Sequence, residues 1–509
     1  MLDRVFQYLN RNMHAPRADF RGFVHTIALV VFRKKKEEDA MGYELLNVER
    51  RDFLKGAGLG VLGLVSLGML AGCAPQARGE ATATREAPSS DAAAQASVDT
   101  TPADVASGGQ YLTVEQINAI RKELVDGKTE DYACEDGTVI PNVFVKLRTL
   151  IDTYGLGLGS EVHDHAWDEI LINFTEETAQ AYLEMPRSVW FTATDFSFES
   201  GRSEEDCLEV CEDMAKKGLL MRARRAGVPR FHQLAEAHGM WEYNMFHYDL
   251  DYTTAHQASW GADIVPNLYN SETPFYYAVP VNKDVVADEQ ILPYDDYEKI
   301  IKRNTVLSVS PCQCRLRRKV MDDFTGDKEC DHPLETCIAT GEEAEFYIEN
   351  GIGRQIAQDE ALEILHTNVE LGMVIQSAYT KDTEVICSCH GDCCDILSSY
   401  VALGSEGCMQ MNQFPNVSHY KLVHTEDTCS KCGMCEQRCP LFAITMDEKT
   451  GFPVVGAQCV RCGQCATVCP TASRTLHQKD VADIPELPAT MLDDYNLKSG
   501  YRLSHDYVS

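Results

Sequence analysis

The run "CSKCGMCEQRCP", residues 429–440, returns thirty residues later as "CVRCGQCATVCP", residues 459–470. Each copy is spaced Cys-x2-Cys-x2-Cys-x3-Cys-Pro. The first holds Cys429, Cys432, Cys435 and Cys439 before Pro440; the second holds Cys459, Cys462, Cys465 and Cys469 before Pro470. Three thiolates on one tight loop can grip three corners of a metal cube, and Gly433 and Gly463 let the backbone close around the sulfurs. The fourth cysteine is expected to open a helix, with the proline fixing the chain direction beyond it. Between the copies, "AITMDEKTGFPVV" (443–455) reads as a strand, a Gly turn and a strand. Zinc sites pair two Cys-x2-Cys hooks and have no use for the third cysteine, the x3 step or the proline.

This spacing resembles the bacterial ferredoxin domain with two [4Fe–4S] clusters, over about residues 421–476. The resemblance implies two clusters that carry single electrons, held by crossed ligand sets. One cluster takes Cys429, Cys432, Cys435 and Cys469; the other takes Cys459, Cys462, Cys465 and Cys439.

Working outward, the chain has 21 cysteines in 509 residues, and a second group of eight precedes the repeat. "PCQCRLRRK" supplies Cys312 and Cys314, "ECDHPLETC" supplies Cys330 and Cys337, and "CSCHGDCC" supplies Cys387, Cys389, Cys393 and Cys394. A chain this long does not need disulfides for stability, so the clustering points to metal. Three readings stay open for these eight: a third iron–sulfur cluster, a structural zinc, or disulfides and a redox-active pair. Arg315, Arg317, Arg318 and Lys319 offer positive charge to thiolates. One amphipathic helix ending at Gly372, with Ala361, Leu362, Leu365 and Val369 on a face, separates the second piece from the third.

Upstream, "TEETAQAYLEM" begins a helix at a Thr175 cap, and Ser203 with Asp206 begins another. Leu208, Cys211, Met214 and Ala215 are expected to form its apolar stripe, and Gly218 to close it. "LLMRARRAGVPRFHQL" then reads as two strands around a turn at 227–229. Helices followed by a hairpin resemble a winged helix, and Arg222, Arg224, Arg225 and Arg230 suggest DNA. A net charge of −32 argues against nucleic acid and for a docking or scaffold module. Cys207 and Cys211 read as core residues, and His238, His247 and His256 as packed or surface histidines rather than ligands. The winged-helix-like segment, Cys-x-Cys-Arg, Cys-x6-Cys, the Cys-rich knot and the repeat, in that order, resemble a family of iron–sulfur proteins from anaerobic bacteria across about residues 170–475.

At the N-terminus, Arg50-Arg51 before "DFLK" resembles a twin-arginine export signal, and the apolar run 56–72 is its core. "LAGC" (70–73) resembles a lipobox, with Cys73 as the acylated residue. The Gly58-x-Gly60-x-x-Gly63 match to a dinucleotide fingerprint has no strand before it and is set aside. Residues 1–40 read as processed or disordered, with Met41 a better start for the leader.

The expected class is α+β. Residues 1–73 are an export signal, 74–111 a flexible linker and 112–250 a helical, winged-helix-like body. Residues 251–310 form an aromatic-rich connection, 311–420 a Cys-rich metal-binding domain, 421–476 the ferredoxin domain and 477–509 a tail. The expected function is electron transfer through two [4Fe–4S] clusters by a lipoprotein on the outer face of the cytoplasmic membrane. Its partner is expected to be a reductase, a cytochrome or a quinol-linked membrane subunit. The alternative is a reductase fed by the ferredoxin domain; exported reductive dehalogenases share the leader and two cluster motifs. A redox sensor using the winged helix would require the leader to be unused. No nucleophile triad, haem motif or P-loop marks a catalytic residue.

Overall fold

The computed structural model describes residues 32–37, 40–45 and 112–505, apart from 159–163, 245–248, 260–272, 282–285, 287–290, 326–329, 411–417, 481–483 and 485. Arg50, Arg51, Cys73 and His247 lie outside the described residues. The strands Phe32–Glu37 and Ala40–Leu45 pair antiparallel in a unit of their own, where no ordered element was expected. No helix among the described residues is long and apolar enough to cross a membrane.

The upstream region folds as a run of helices around an apolar core that includes Leu147, Leu150, Tyr182, Phe196 and Phe231 and takes in Phe346 and Tyr347 of the middle region and Tyr495 of the C-terminal helix. The helix Glu176–Glu184 is N-capped by Thr175 with a reciprocal bond from Thr178, and Glu204–Lys216 is capped by Ser203. In the second helix the buried stripe is Cys207, Cys211, Met214 and Ala215. Leu208, expected in that stripe, points outward, because the helix turns Cys207 rather than its neighbour toward the core. Burial pushes the thiols of Cys207 and Cys211 up, as befits core residues. The strands Leu220–Arg225 and Val228–Gln233 pair around Ala226 and Gly227, both at positive φ. The turn thus falls one residue earlier than expected, and Pro229 sits inside a strand.

All four hairpin arginines meet carboxylates. Arg222 pairs with Glu212 and Glu349 at 2.9 and 2.8 Å, Arg224 with the same two, and Arg225 and Arg230 with Glu342. These pairs fasten the hairpin to the helix Gly341–Glu349 of the middle region.

The middle region is built on a six-stranded antiparallel sheet. Its order is Arg354–Gln355, Leu307–Pro311, Glu335–Thr340, Val385–Cys389, Val374–Ala378 and Tyr276–Ala278. The separating helix is Gln358–Glu370, and it buries Ala361, Leu365 and Asn368. The sheet shares one apolar core with the C-terminal repeat: Val309, Ile338 and Ile386 pack in the same cluster as Leu441, Cys459, Val460 and Cys462. The boundary expected at residue 420 therefore separates no core.

The segment expected as a tail instead forms the helix Met491–Ser504, opened by a Thr490 capping box. It buries Tyr495, Lys498, Ser499 and Arg502. The Arg502 guanidinium is fully buried against the equally buried Asp152, 3.1 Å from its carboxylate. At the helix start, the Met491 amide donates to Glu384 at 2.8 Å and the Thr380 hydroxyl donates to the same carboxyl at 2.9 Å. Burial pushes the Glu384 carboxyl up to about 8. A carboxyl raised in the folded state binds more protons there than in the unfolded chain. Its contribution is therefore complete below about pH 4.5 and fades as pH rises toward 8. Glu384→Gln should flatten that part of the profile, by on the order of a couple of kcal/mol between pH 5 and 8. Denaturant midpoints of both proteins across that range check it.

Candidate metal centres

In the C-terminal repeat, positions thirty apart share an unusual backbone. Lys431 and Arg461 lie at φ 58° and 56°, Gly433 and Gly463 at 74° and 89°, and Phe442 and Ala472 both at 51°. Left-handed φ at non-glycine residues persists only where the surroundings enforce it. Two copies of the same strained loop therefore follow from two copies of the same spacing. The strand pairs Tyr420–His424 with Arg474–Gln478, and Ile444–Met446 with Pro453–Val455, frame the loops.

Short helices, Met434–Gln437 and Gln464–Thr467, start at Gly433 and Gly463 and carry the third cysteine of each run. The fourth cysteine was expected to open a helix; it follows one. Proline disfavours α geometry in the residue before it, and the helices end at Gln437 and Thr467, before Cys439 and Cys469. The turn swings both away from their own loop.

Two hollows result. One is lined by Cys429, Cys432, Cys435 and Cys469, with Met446 and Pro453. The other is lined by Cys459, Cys462, Cys465 and Cys439, with Leu422, Leu441 and Ile444. Each gathers three cysteines of one run and the fourth of the other. Four thiols around a hollow, with no competing carboxylate or histidine in either lining, fit the donor set of an iron–sulfur cube.

The two hollows differ in setting. Cys432 is exposed, whereas Cys459, Cys462 and Cys465 are buried. Burial pushes the Cys465 thiol up to about 12 and raises Cys462 well above its usual value as well. Burial also raises Cys469, but hydrogen bonding with Ser473 and Thr471 outweighs it and brings the thiol down to about 7. The buried hollow is the one seated against the sheet region. The Val281 amide donates to the Cys462 carbonyl at 2.9 Å, and the Gly391 amide donates to the Pro440 carbonyl at 3.0 Å. A Cβ on Gly391 would lie 2.5 Å from that same oxygen, so the "HGDCC" loop rests on the Cys439 loop as only glycine permits. Arg438 and Gln464 complete the contact, donating to the Val369 carbonyl at 2.7 and 3.0 Å.

The eight middle cysteines come together in two groups. Cys387 and Cys389 alternate with Ser388 in one strand and so share a face. Cys337 continues the register opposite Cys387, from the pairs Val385–Ala339 and Ile386–Ile338. Cys312 and Cys314 stand at the start of the helix Gln313–Thr325, and Cys394 directly before the helix Asp395–Gln410. Each thiol shifts the titration of its neighbour, Cys312 with Cys314, Cys314 with Cys394, Cys394 with Cys389, Cys389 with Cys387 and Cys387 with Cys337. These six thiols form a continuous string.

Cys330 and Cys393 pair apart from it. The hydrogen bond from Cys393 lowers the Cys330 thiol to about 6 and raises Cys393 in turn. Their ligand atoms and those of His332 and Asp392 all lie within 4.8 Å of one another. Arg315 stands between the groups, donating to the Ser388 carbonyl at 2.6 Å and in electrostatic contact with Cys312, Cys389 and Cys393. Arg317 is taken up by an ion pair with Asp395.

Sequence reasoning missed His332 and Asp392, although "CDH" and "HGDCC" place each within two residues of a flagged cysteine. It also missed a buried group of Glu169, Glu236 and His256, whose ligand atoms converge within 4.8 Å. His238 is packed, as expected, but in a buried network. Its Nε2 donates to Glu343 at 2.9 Å, Tyr276 lies 2.5 Å from Nδ1, and Tyr276 is in electrostatic reach of Cys387 and Cys337. Burial alone would lower the His238 imidazole, but Glu343 and Glu242 more than reverse this and hold it well above its usual value.

No curated protein and no solved structure matches this chain. Residues 421–473 match the family model described as a 4Fe-4S dicluster domain. The hollows and the match agree on the same residues: the C-terminal region is an iron–sulfur, ferredoxin-type domain.

Proposed function

We propose that this protein is an electron carrier with two [4Fe–4S] clusters, exported and lipid-anchored on the outer face of the cytoplasmic membrane. The observation that carries the reading is the pair of four-thiol hollows, one at the surface and one against the protein's own core. A cluster in each hollow supplies reversible one-electron chemistry. The ligand sets are the crossed ones, Cys429, Cys432, Cys435 and Cys469 at the surface and Cys459, Cys462, Cys465 and Cys439 inside.

The remaining residues set the conditions for that chemistry. Leu422, Leu441 and Ile444 give the inner hollow an apolar wall. The Ala443 amide donates to the Cys439 sulfur at 3.2 Å, and the Ser473 hydroxyl lies 3.2 Å from the Cys469 sulfur. Hydrogen bonds to ligand sulfurs tune a cluster's potential, so the two sites differ in poise. The exposed Cys432 side is the docking face for a redox partner, a reductase, cytochrome or quinol-linked membrane subunit. Arg50, Arg51 and the "LAGC" sequence ending at Cys73 support export and anchoring. The six-thiol string Cys312, Cys314, Cys394, Cys389, Cys387 and Cys337 offers soft ligands to a further metal group.

A second reading, a reductase with its reaction site in the middle region, is favoured by one observation. The buried His238–Glu343–Tyr276 network, a potential proton source, adjoins Cys387 and Cys337. Anaerobic reduction of the full chain separates the readings. A carrier bleaches reversibly and returns its electrons to a soluble one-electron acceptor, with no added chromophore. Failure to bleach reversibly removes the carrier reading, and a bound corrinoid or flavin moves the assignment to the reductase.

A further inference from the structure

Cys330 and His332 come from one loop, Asp392 and Cys393 from another, and their four ligand atoms converge within 4.8 Å of one another. Ligand atoms around a single tetrahedral zinc stand about 3–4 Å apart. A cube holds its ligands farther apart, because each reaches a different iron. Among the described residues, neither the two ferredoxin sets nor the six-thiol string converges in this way. We propose that Cys330, His332, Asp392 and Cys393 bind one zinc ion, distinct from the iron–sulfur groups. This deepens the metal reading of the middle cysteines and stands independently of the ferredoxin clusters.

The chemistry of the donors fits. Two soft sulfurs and an imidazole favour zinc over the hard cations that carboxylates alone would select. Two thiolates and a carboxylate overbalance a divalent ion by a single negative charge, and the Arg315 guanidinium, hydrogen-bonded to Cys393, offsets it. His390 Nδ1 lies 2.8 Å from Asp392 Oδ1, while the other oxygen, Oδ2, faces His332 Nε2 at 3.3 Å. One carboxylate oxygen is therefore held by a histidine outside the ligand set, as metal-site carboxylates commonly are. The His332 and His390 rings pack 4.6 Å apart, which fixes both.

Zinc here would tie the "CDH" loop to the "HGDCC" loop. Gly391 of the second loop bonds directly to Pro440, next to the cluster ligand Cys439. The site thus orders the surface on which the inner hollow is seated. Asp392 is 49% exposed, which makes it the ligand through which an added small molecule could gain access.

Metal analysis of the full-length protein, purified without added metal, tests this. As isolated it should hold one zinc per chain beside its iron. Cys330→Ser and His332→Gln should each lose that zinc, with iron and acid-labile sulfide unchanged; the second variant, at a partly exposed position, gives the reading if the first does not fold. Zinc retained in both variants would overturn the proposal. So would a loss of about four irons on Cys330→Ser, or a zinc-free protein in which thiol titration finds Cys330 and Cys393 joined as a disulfide.

Discussion

Cys429→Ala and Cys469→Ala should remove the same cluster. Each is expected to lower iron by about four per chain, to abolish the same signal in the reduced protein, and to add nothing when combined. Cys439→Ala should instead match Cys459→Ala. The reason is geometric. Pro440 and Pro470 end the short helices before the fourth cysteines, which leaves Cys469 with the first loop and Cys439 with the second. If the runs were self-contained, Cys429 would group with Cys439 and the double variant Cys429→Ala/Cys469→Ala would lose both clusters. The setting of each hollow adds a second expectation. Loss of the outer cluster should leave the body folded, whereas Cys462→Ala should also lower stability. Cys462 lies in the core shared with the sheet, and its carbonyl accepts the Val281 amide.

Arg502→Met should cost about 3–5 kcal/mol, enough to unfold much of a marginally stable chain. Arg502 and Asp152 are both fully buried, and the Asp152 carboxylate also accepts the Leu158 amide at 2.7 Å. Methionine keeps much of the volume but takes the buried guanidinium away from the Asp152 carboxylate. The exposed pair Lys122–Asp126 is the control: Lys122→Ala should leave the midpoint essentially unchanged. Denaturant midpoints read both. Equal, small effects would mean that the helix Met491–Ser504 is the loose tail suggested by its position in the chain.

How legible each part was follows from how local its cause is. The ferredoxin region was readable because its fold is dictated by residues within one short loop: the spacing, the glycines and the prolines. The capped helices at Thr175 and Ser203 were readable for the same reason, since a cap is a contact over three residues. The C-terminal helix was missed because the partners of its Arg502 and Tyr495, Asp152 and His238, lie hundreds of residues away, and Arg502 looks like a surface charge until its partner is known. The hairpin arginines could be set aside as a DNA surface from the net charge, but their partners could not be read, because Glu342 and Glu349 are contributed by a distant helix. The eight middle cysteines were visible as a group, but their division was not. Strand register sets Cys337 beside Cys387, while Cys330 turns to His332 and Asp392.

Iron and acid-labile sulfide, counted per chain in the anaerobically purified full-length protein, test the central claim most directly. Two clusters require about eight of each, with any excess belonging to the six-thiol string. A protein holding only about four irons or fewer, or filling its C-terminal hollows with zinc and no labile sulfide, would contradict it.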